Sequence, residues 1–386
     1  MTTPNPPSTL NSRFIAPLDV LFLRGNQLFG APGSYGESLM PPWPSVAAGA
    51  IRSRILADAG IDLAAFGKGQ QAHPDLGTPT QPGSFVLQAF HVARQHDGQV
   101  EMLLAPPADL ALHDDEDSRV RAQRLTPTAL PKLHTSSPLP LLPVLAQKDR
   151  SKAASGWWLC QAGWQKYLNG HTPDGSDFVK TSDLWSMDER VGVGLSEDTR
   201  SAEDGKLFTS RAVALKKDVG FVAAVAGAQL PNGGLLRLGG DGRAASIGPV
   251  GMAWPQPDYE RIAHEGRCRI VLTSPGLFTQ GWLPNGFTAA DGSYRFDLHG
   301  VQGRRVAASV ARSEVVSGWN LAGKQDKGCP TPAQRIAPTG SVYWLEDLRA
   351  SPAALRKLAA AGLWGTPCED AHRRAEGFNR FSFAVF

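Results

Sequence analysis

Apolar and polar positions alternate unevenly along the chain and divide it into three stretches. Positions 14–23 are mostly apolar and predict a first buried strand. A Gly/Pro-containing loop follows at 31–44. PSVAAGAIRSRILADAG then predicts a helix: Ser45 is placed as N-cap, Ala47, Ile51 and Ile55 share one face, and Gly60 closes the end. Two strands at 83–93 and 99–104 are joined by QHDG. Strand, helix, strand, strand is the opening of a ferredoxin-like βαββαβ unit. Residues 106–185 break that pattern. HDDEDSR is acidic, TPTALPKLHTSSPLPLLP is Pro-rich and extended, and GWWLCQAGWQKYLNG predicts a short helix packed down by Trp157, Trp158, Trp164 and Tyr167. The second half is rich in strand signals, at 211–215, 220–230, 235–238, 269–273, 306–316 and 341–345. SPAALRKLAAAG is a helix capped by Ser351, with Pro352 in its first turn and Gly362 past its end. FNRFSFAVF supplies a last strand. The expectation is an α+β chain of two ferredoxin-like (RRM-like) domains. The first is 1–215, with a loop-rich insertion at about 106–185; the second is 216–386.

Composition narrows the classes. At 386 residues the chain has room for about two domains. Charged residues are 19%, below the ~25% usual for soluble domains, while Gly 41 and Pro 30 call for many turns. These values exclude a coiled coil, a long helical bundle and a wholly disordered chain. Net charge is only +3, yet 27 of the 39 basic residues are Arg. Arg grips phosphate with a planar fork; a GC-rich genome would raise Arg, Ala, Gly and Pro together without any such role. Cys160, Cys268, Cys329 and Cys368 are far apart, so neither a C-x-x-C zinc site nor a disulfide framework is expected. No apolar run reaches the ~18 residues of a membrane span. The first ten residues are polar and Pro-rich, unlike a signal-peptide core. A cytoplasmic protein with reduced thiols is the expectation.

Four segments carry candidate chemistry. LGGDGR, 238–243, combines a backbone freed by glycine with the fork of Arg243 and can cradle a phosphate, though a plain tight turn has the same composition. ERVGVGLSEDTRSAEDGKLFTSRAVAL, 189–215, reads as a hairpin with Arg190, Arg200 and Arg211 spread along it. It can lie over a nucleic-acid strand or stand solvated. In PTGSVYWLE, 338–346, Tyr343 and Trp344 point to opposite faces of a strand, one expected in the core and either able to stack on a base. HRRAEGFNRF, 372–381, sets basic side chains beside a Gly-containing turn. Catalytic motifs are missing: there is no G-x-S-x-G, H-E-x-x-H or post-strand G-x-G-x-x-G. Asp114, Asp115, Glu116 and Asp117 could hold Mg²⁺ but are equally a solvated loop, so no metal or cofactor is expected. His264 and His372 are the histidines near basic segments and the only candidates for a general base.

Taken in order, these blocks resemble the RAMP superfamily of CRISPR-associated proteins. Within it they are similar to the third-subunit family of the Cmr, or type III-B, effector complex. PLDVLFLRGNQLFG and PWPSVAAGAIRSRI resemble the family's first strand and helix. RVGVGLSEDTRSAEDGKLFTSRAV resembles its central R-x-G-[IV] … T-x-x-A-x-x-G-x-L-[YF] block. LGGDGRAA resembles L-G-G-E-x-R, with Asp241 in place of Glu. PTGSVYWLE resembles P-x-G-S-V-Y-x-x-E, and EGFNRF stands as a short form of the C-terminal Gly-rich turn. The resemblance implies two ferredoxin-like domains and no catalysis of the chain's own. It implies a place near the 5′ tag of a guide RNA, against the large polymerase/cyclase-like subunit and a backbone RAMP subunit. It also implies a hairpin thumb, for which 189–215 and the 106–185 insertion are both candidates.

The reading of the residues agrees in kind: single-stranded RNA is held through phosphates, 2′-hydroxyls and stacking. The residues expected near RNA are Arg24, Arg52, Arg200, Gly239, Gly240, Arg243, Arg373 and Asn379. Arginines would contact phosphates, glycines would admit backbone amides, and Asn379 would read a base edge. Two alternatives are a RAMP endoribonuclease using His264 or His372 to process precursor guide RNA, and a structural subunit that touches only proteins.

Overall fold

The structure, a computed structural model, describes residues 11–23, 35–114, 119–146, 153–196, 198–288, 294–320 and 329–386. The chain is mixed α/β and strand-rich. An eight-stranded antiparallel sheet is ordered Phe178–Lys180, Trp157–Cys160, Gln99–Leu104, Val86–His96, Val219–Ala226, Asn11–Pro17, Ala244–Pro249 and Leu235–Arg237. A six-stranded sheet is ordered Phe287–Thr288, Arg295–Leu298, Val301–Ser309, Val342–Arg349, Cys268–Leu272 and Phe381–Ala384. The chain therefore crosses from one sheet to the other between Pro249 and Cys268. The divide expected after 215 falls elsewhere, because Val219–Ala226 pairs with both Asn11–Pro17 and Val86–His96.

Strand order is also not the one read from sequence. Gln99–Leu104 was expected to complete the opening unit, yet it lies outside Val86–His96. Val219–Ala226 fills the place between the two parallel strands that the Pro44–Asp58 helix connects. In both sheets four strands taken in chain order show one arrangement, with the first flanked by the third and fourth and the second beyond the third.

The two sheets pack face to face. One face of the eight-stranded sheet (Leu103, Phe221, Ala223, Val225) shares a core with Ala47, Ile51 and Ile55 of the Pro44–Asp58 helix. The opposite face of the six-stranded sheet (Ile270, Tyr343, Leu345, Phe383) packs on Leu355 and Leu358 of the Pro352–Ala361 helix. Between the sheets Ala93, Met102 and Val222 meet Val271, Val342, Trp344 and Ala384. Strands buried on both faces read as unbroken apolar runs rather than alternation. So Tyr343 and Trp344 point to opposite faces and both are core, and neither is open to a base.

Local signals explain the helix ends. The Pro352–Ala361 helix starts with Ser351 Oγ accepting from the Ala354 amide, as expected. The Pro44–Asp58 helix does not use Ser45 as its cap. Trp43 holds that position without a side-chain bond, and Pro44 sets the first turn. The 106–185 segment is partly integrated. It forms the hairpins Leu110–Asp114/Val120–Arg124 and Thr126–Thr128/Leu142–Val144, then adds Trp157–Cys160 and Phe178–Lys180 to the large sheet, with a helix at Gln161–Leu168 between them.

Candidate nucleic-acid interface

The longest hairpin pairs Trp185–Leu195 with Ala202–Leu215, from Trp185↔Leu215 at the root to Leu195↔Ala202 near the tip. Val191, Val193, Leu195, Leu207 and Phe208 are exposed. Alternation puts Val191, Val193 and Leu195 on one face, with Leu207 opposite Val193. The Phe208 ring fills the space beside Gly192 on the other face. Exposed aliphatic side chains on a projecting ribbon form a wedge that solvent does not favour.

The hairpin is rooted in three places, one of them the strand Tyr35–Glu37, which pairs in parallel with 209–211. Trp185 packs edge-on against Trp158 with ring centroids 5.2 Å apart. Leu21 exchanges backbone bonds of 2.9 Å with Val213. The segment holding Leu21 lies between that root and the 238–243 turn. The Leu18 amide donates to Ala244 at 3.0 Å and the Gly240 amide to the Phe22 carbonyl at 2.7 Å. Gly239, at φ +79°, comes so near that a Cβ would lie 2.7 Å from the Phe22 oxygen, which only glycine avoids. Arg243 pairs with Asp19 and lies over the Phe22 ring at 5.2 Å. The Gly turn thus clamps the 18–23 segment. The Gly240 amide is thus donated inward and is not open to a phosphate.

Beside this clamp a groove of about 410 Å³ is lined by Pro17, Leu18, Asp19, Ala214, Lys216 and Lys217, among others. Lys216 and Lys217 are exposed, and neither ammonium has a described partner. They sit in the turn between the hairpin and the fully buried Val219–Ala226 strand. The sequence reading passed them over. The signal was a charged pair in the tight KKDV turn between two strands, which marks exposed cations on a fixed stretch of backbone.

The other expected residues divide. Arg200 stands exposed at the hairpin tip, with φ +53° and its amide bonded to Ser196. Arg24 lies outside the described residues, next to the clamped segment in sequence. Asn379 is fully buried. Its amide nitrogen donates to Leu277 and Leu363 at 3.0 and 3.3 Å, and its oxygen accepts from the Leu277 amide. It has no edge left for a base. Gly377, at φ +89°, lets the turn approach the other sheet so closely that a Cβ would sit 2.8 Å from the Leu87 oxygen. Arg373 donates to Glu376 at 2.9 Å and Gln334 at 3.2 Å. Glu376 also draws on half-buried Arg52, whose guanidinium pKa is lowered by burial. Arg373 and Asn379 are therefore held by partners in their own chain, and the EGFNRF turn reaches the Val86–His96 strand at Leu87.

Between the sheets lies a buried and well-satisfied charge pair. Arg269 and Asp109 pair at 2.7 Å with side chains 1% and 0% exposed. Arg269 also donates to the Val385 and Tyr167 carbonyls at 2.7 and 3.2 Å. Tyr167 donates to Asp109 at 2.7 Å, and burial pushes its hydroxyl well above the ordinary range, so it remains a donor.

Asp114 accepts a bond from the Trp157 indole at 3.2 Å, and 115–117 lie outside the described residues. No cluster of three or more His, Cys, Asp or Glu suited to a metal is found among the described residues. His264 and His372 are exposed on separate helices, Tyr259–Glu265 and Ala371–Ala375. Among the described residues, no helix is long and apolar enough to cross a membrane.

A family model described as CRISPR-associated protein (Cas_Cmr3) matches residues 13–382. Solved chains also match, among them the following two. One is from a Type III-B Cmr-beta complex bound to cognate target RNA and AMPPnP, in its state 1. It is 14% identical, with 90% of this chain and 88% of that one covered and a TM-score of 0.45. The second, from Type III-B Cmr-beta bound to cognate target RNA, is 13% identical over 96% of each chain, with a TM-score of 0.46. No curated protein matches the chain.

Proposed function

The chain belongs to the CRISPR-associated Cas_Cmr3 family, and from that premise we propose that it is a non-catalytic, guide-RNA-binding subunit of a type III-B (Cmr) ribonucleoprotein effector. It binds near the 5′ tag of the guide, docks the large polymerase/cyclase-like subunit and a backbone RAMP subunit, and works in the cytoplasm. The four-strand order repeated in both sheets supports reading each as a ferredoxin-like unit, one keeping its first helix and the other its second.

The observation that carries the reading is the rooted hairpin with its exposed aliphatic face, set beside a groove bearing Lys216 and Lys217. A ribbon tipped with Leu195 and flanked by Leu207 suits insertion between bases, as apolar wedges do elsewhere. Exposed ammonium groups at its root suit the phosphates on either side. The hairpin is accordingly the thumb. The 106–185 segment, much of it folded into the large sheet or its flank, is left for protein contacts.

Affinity capture of the tagged chain, with sequencing of bound RNA, tests this. RNAs sharing one repeat-derived 5′ end, together with other Cmr proteins, are expected; a chain recovered without RNA would remove the reading. Replacing Lys216 and Lys217 with Ala should reduce the salt slope of guide binding by about 0.7 per lost phosphate contact.

A further inference from the structure

Arg305 lies on the Val301–Ser309 strand and is 1% exposed. Its guanidinium carbon is 5.0 Å from the Trp282 ring centroid and 5.1 Å from those of Phe287 and Tyr294. Nε and Nη1 are buried and have no hydrogen-bond partner, and among the described residues no carboxylate pairs with this side chain. Arg269, just as buried, has Asp109 and two carbonyls. An unpaired buried cation is costly, and ring faces offset only part of that cost. Burial brings the guanidinium pKa down only to about 10, so the group is charged at neutral pH.

Of the three rings, Trp282 is the most exposed. Phe287 is core, whereas Trp282 is 38% exposed and stacks nearly parallel on Tyr343, 6.5 Å between centroids and 7° between planes. The Tyr343 hydroxyl donates to the Trp282 carbonyl at 2.6 Å and fixes the backbone there, so the indole can turn on its side-chain bonds while the chain stays put.

We propose that Arg305 and Trp282 form a subsite for one nucleotide of single-stranded RNA: the guanidinium takes a phosphate and the indole stacks on the adjoining base. A swing of the indole outward uncovers the guanidinium and presents a ring face to solvent at the same time. A carboxylate from a protein would use the charge and leave the half-exposed indole idle, so a nucleotide fits both groups better. The inference rests on the RNA-binding reading above and adds a second contact point, on the other sheet from the hairpin.

Ultraviolet crosslinking of the RNA-bound complex, followed by peptide mapping, tests it. Adducts are expected on the peptide holding Trp282 as well as on the 214–219 groove and the hairpin. Trp282→Ala should weaken RNA binding about fivefold or more, the lower end of what a lost base stack costs. Arg305→Met should lose the Trp282 adduct and keep the groove adducts, while Arg305→Lys keeps both. Because Met removes an unpaired charge, the free chain carrying Arg305→Met should melt about 2 °C higher or more. Groove adducts without a Trp282 adduct, and unchanged affinity in Trp282→Ala, would overturn the subsite and leave the RNA reading standing. A complex with no adduct anywhere on this chain would overturn both.

Discussion

Inside the fold, Arg269, Arg373 and Asn379 spend their hydrogen-bonding groups on Asp109, Glu376, Gln334 and backbone carbonyls. At the hairpin end, Arg200, Lys216 and Lys217 stand exposed. The residue types overlap and their use is opposite. A buried cation must be given partners by its own chain, or the fold bears the desolvation penalty. An exposed cation is already satisfied by water and can exchange that water for a phosphate, releasing counterions as it does so. The partner set around a basic side chain, rather than its abundance, therefore separates scaffold from interface.

The comparison is broken most directly at Asp109. Asp109→Ala leaves Arg269 charged and unpaired between the sheets, which should cost about 3–5 kcal/mol of stability in urea unfolding. RNA affinity of the folded fraction should hold. A loss under about 1 kcal/mol would mean the sheets are not held together by this pair.

Acid probes stability as well. His91 sits on the Val86–His96 strand beside Trp254, with ring centroids 6.3 Å apart, and burial lowers its pKa from 6.5 to about 4. Its folded pKa is below the unfolded one, so its contribution is complete above pH 6.5 and is lost as pH falls toward 4. The full loss is of the order of 3 kcal/mol. Melting temperature against pH should fall more steeply in the native chain than in His91→Gln across that window. Parallel curves would show that another group sets the acid limit.

Asn379→Ala comes next. It strips the Leu277 amide of its acceptor and puts Ala at φ +59°, which should cost about 2 kcal/mol. RNA binding should be unchanged; a selective loss of binding without loss of stability would return Asn379 to the interface. Arg200→Ala is the smallest change. Stability should stay within about 0.5 kcal/mol, and the salt slope of RNA binding should drop by about 0.7. A stability loss above 1 kcal/mol would show the tip to be structural.

Much of the local structure was legible from residue chemistry. Ser351, Pro352 and Gly362 mark a helix that the structure places at Pro352–Ala361. The QHDG turn was read correctly as a hairpin, though Asp97 and Gly98 alone take the positive-φ positions and the first strand therefore runs on to His96. Trp157 and Trp158 went to a strand instead of a helix, because they pair with Lys180 and Val179 at the sheet's edge, a long-range choice that overrides local propensity. The candidate site was half legible. Arg200 and the hairpin are where the pattern put them. Gly239 and Gly240 were expected to admit RNA to their amides; in the fold both lie against the Phe22 carbonyl of this same chain.

Sequence by itself determined the mixed α/β class, the Ser351 cap, the Asp97–Gly98 turn, the buried faces of the main helices, and the family. Each of these depends on residues near one another in the chain or on the order of short motifs. Tertiary structure alone decided which strand lies between Asn11–Pro17 and Val86–His96, where one sheet gives way to the next, and which basic residues remain free. Those outcomes depend on pairing across more than a hundred residues and on sheets packed face to face. Only that packing brings Asp109 to Arg269 and leaves Arg305 among rings with no carboxylate described beside it.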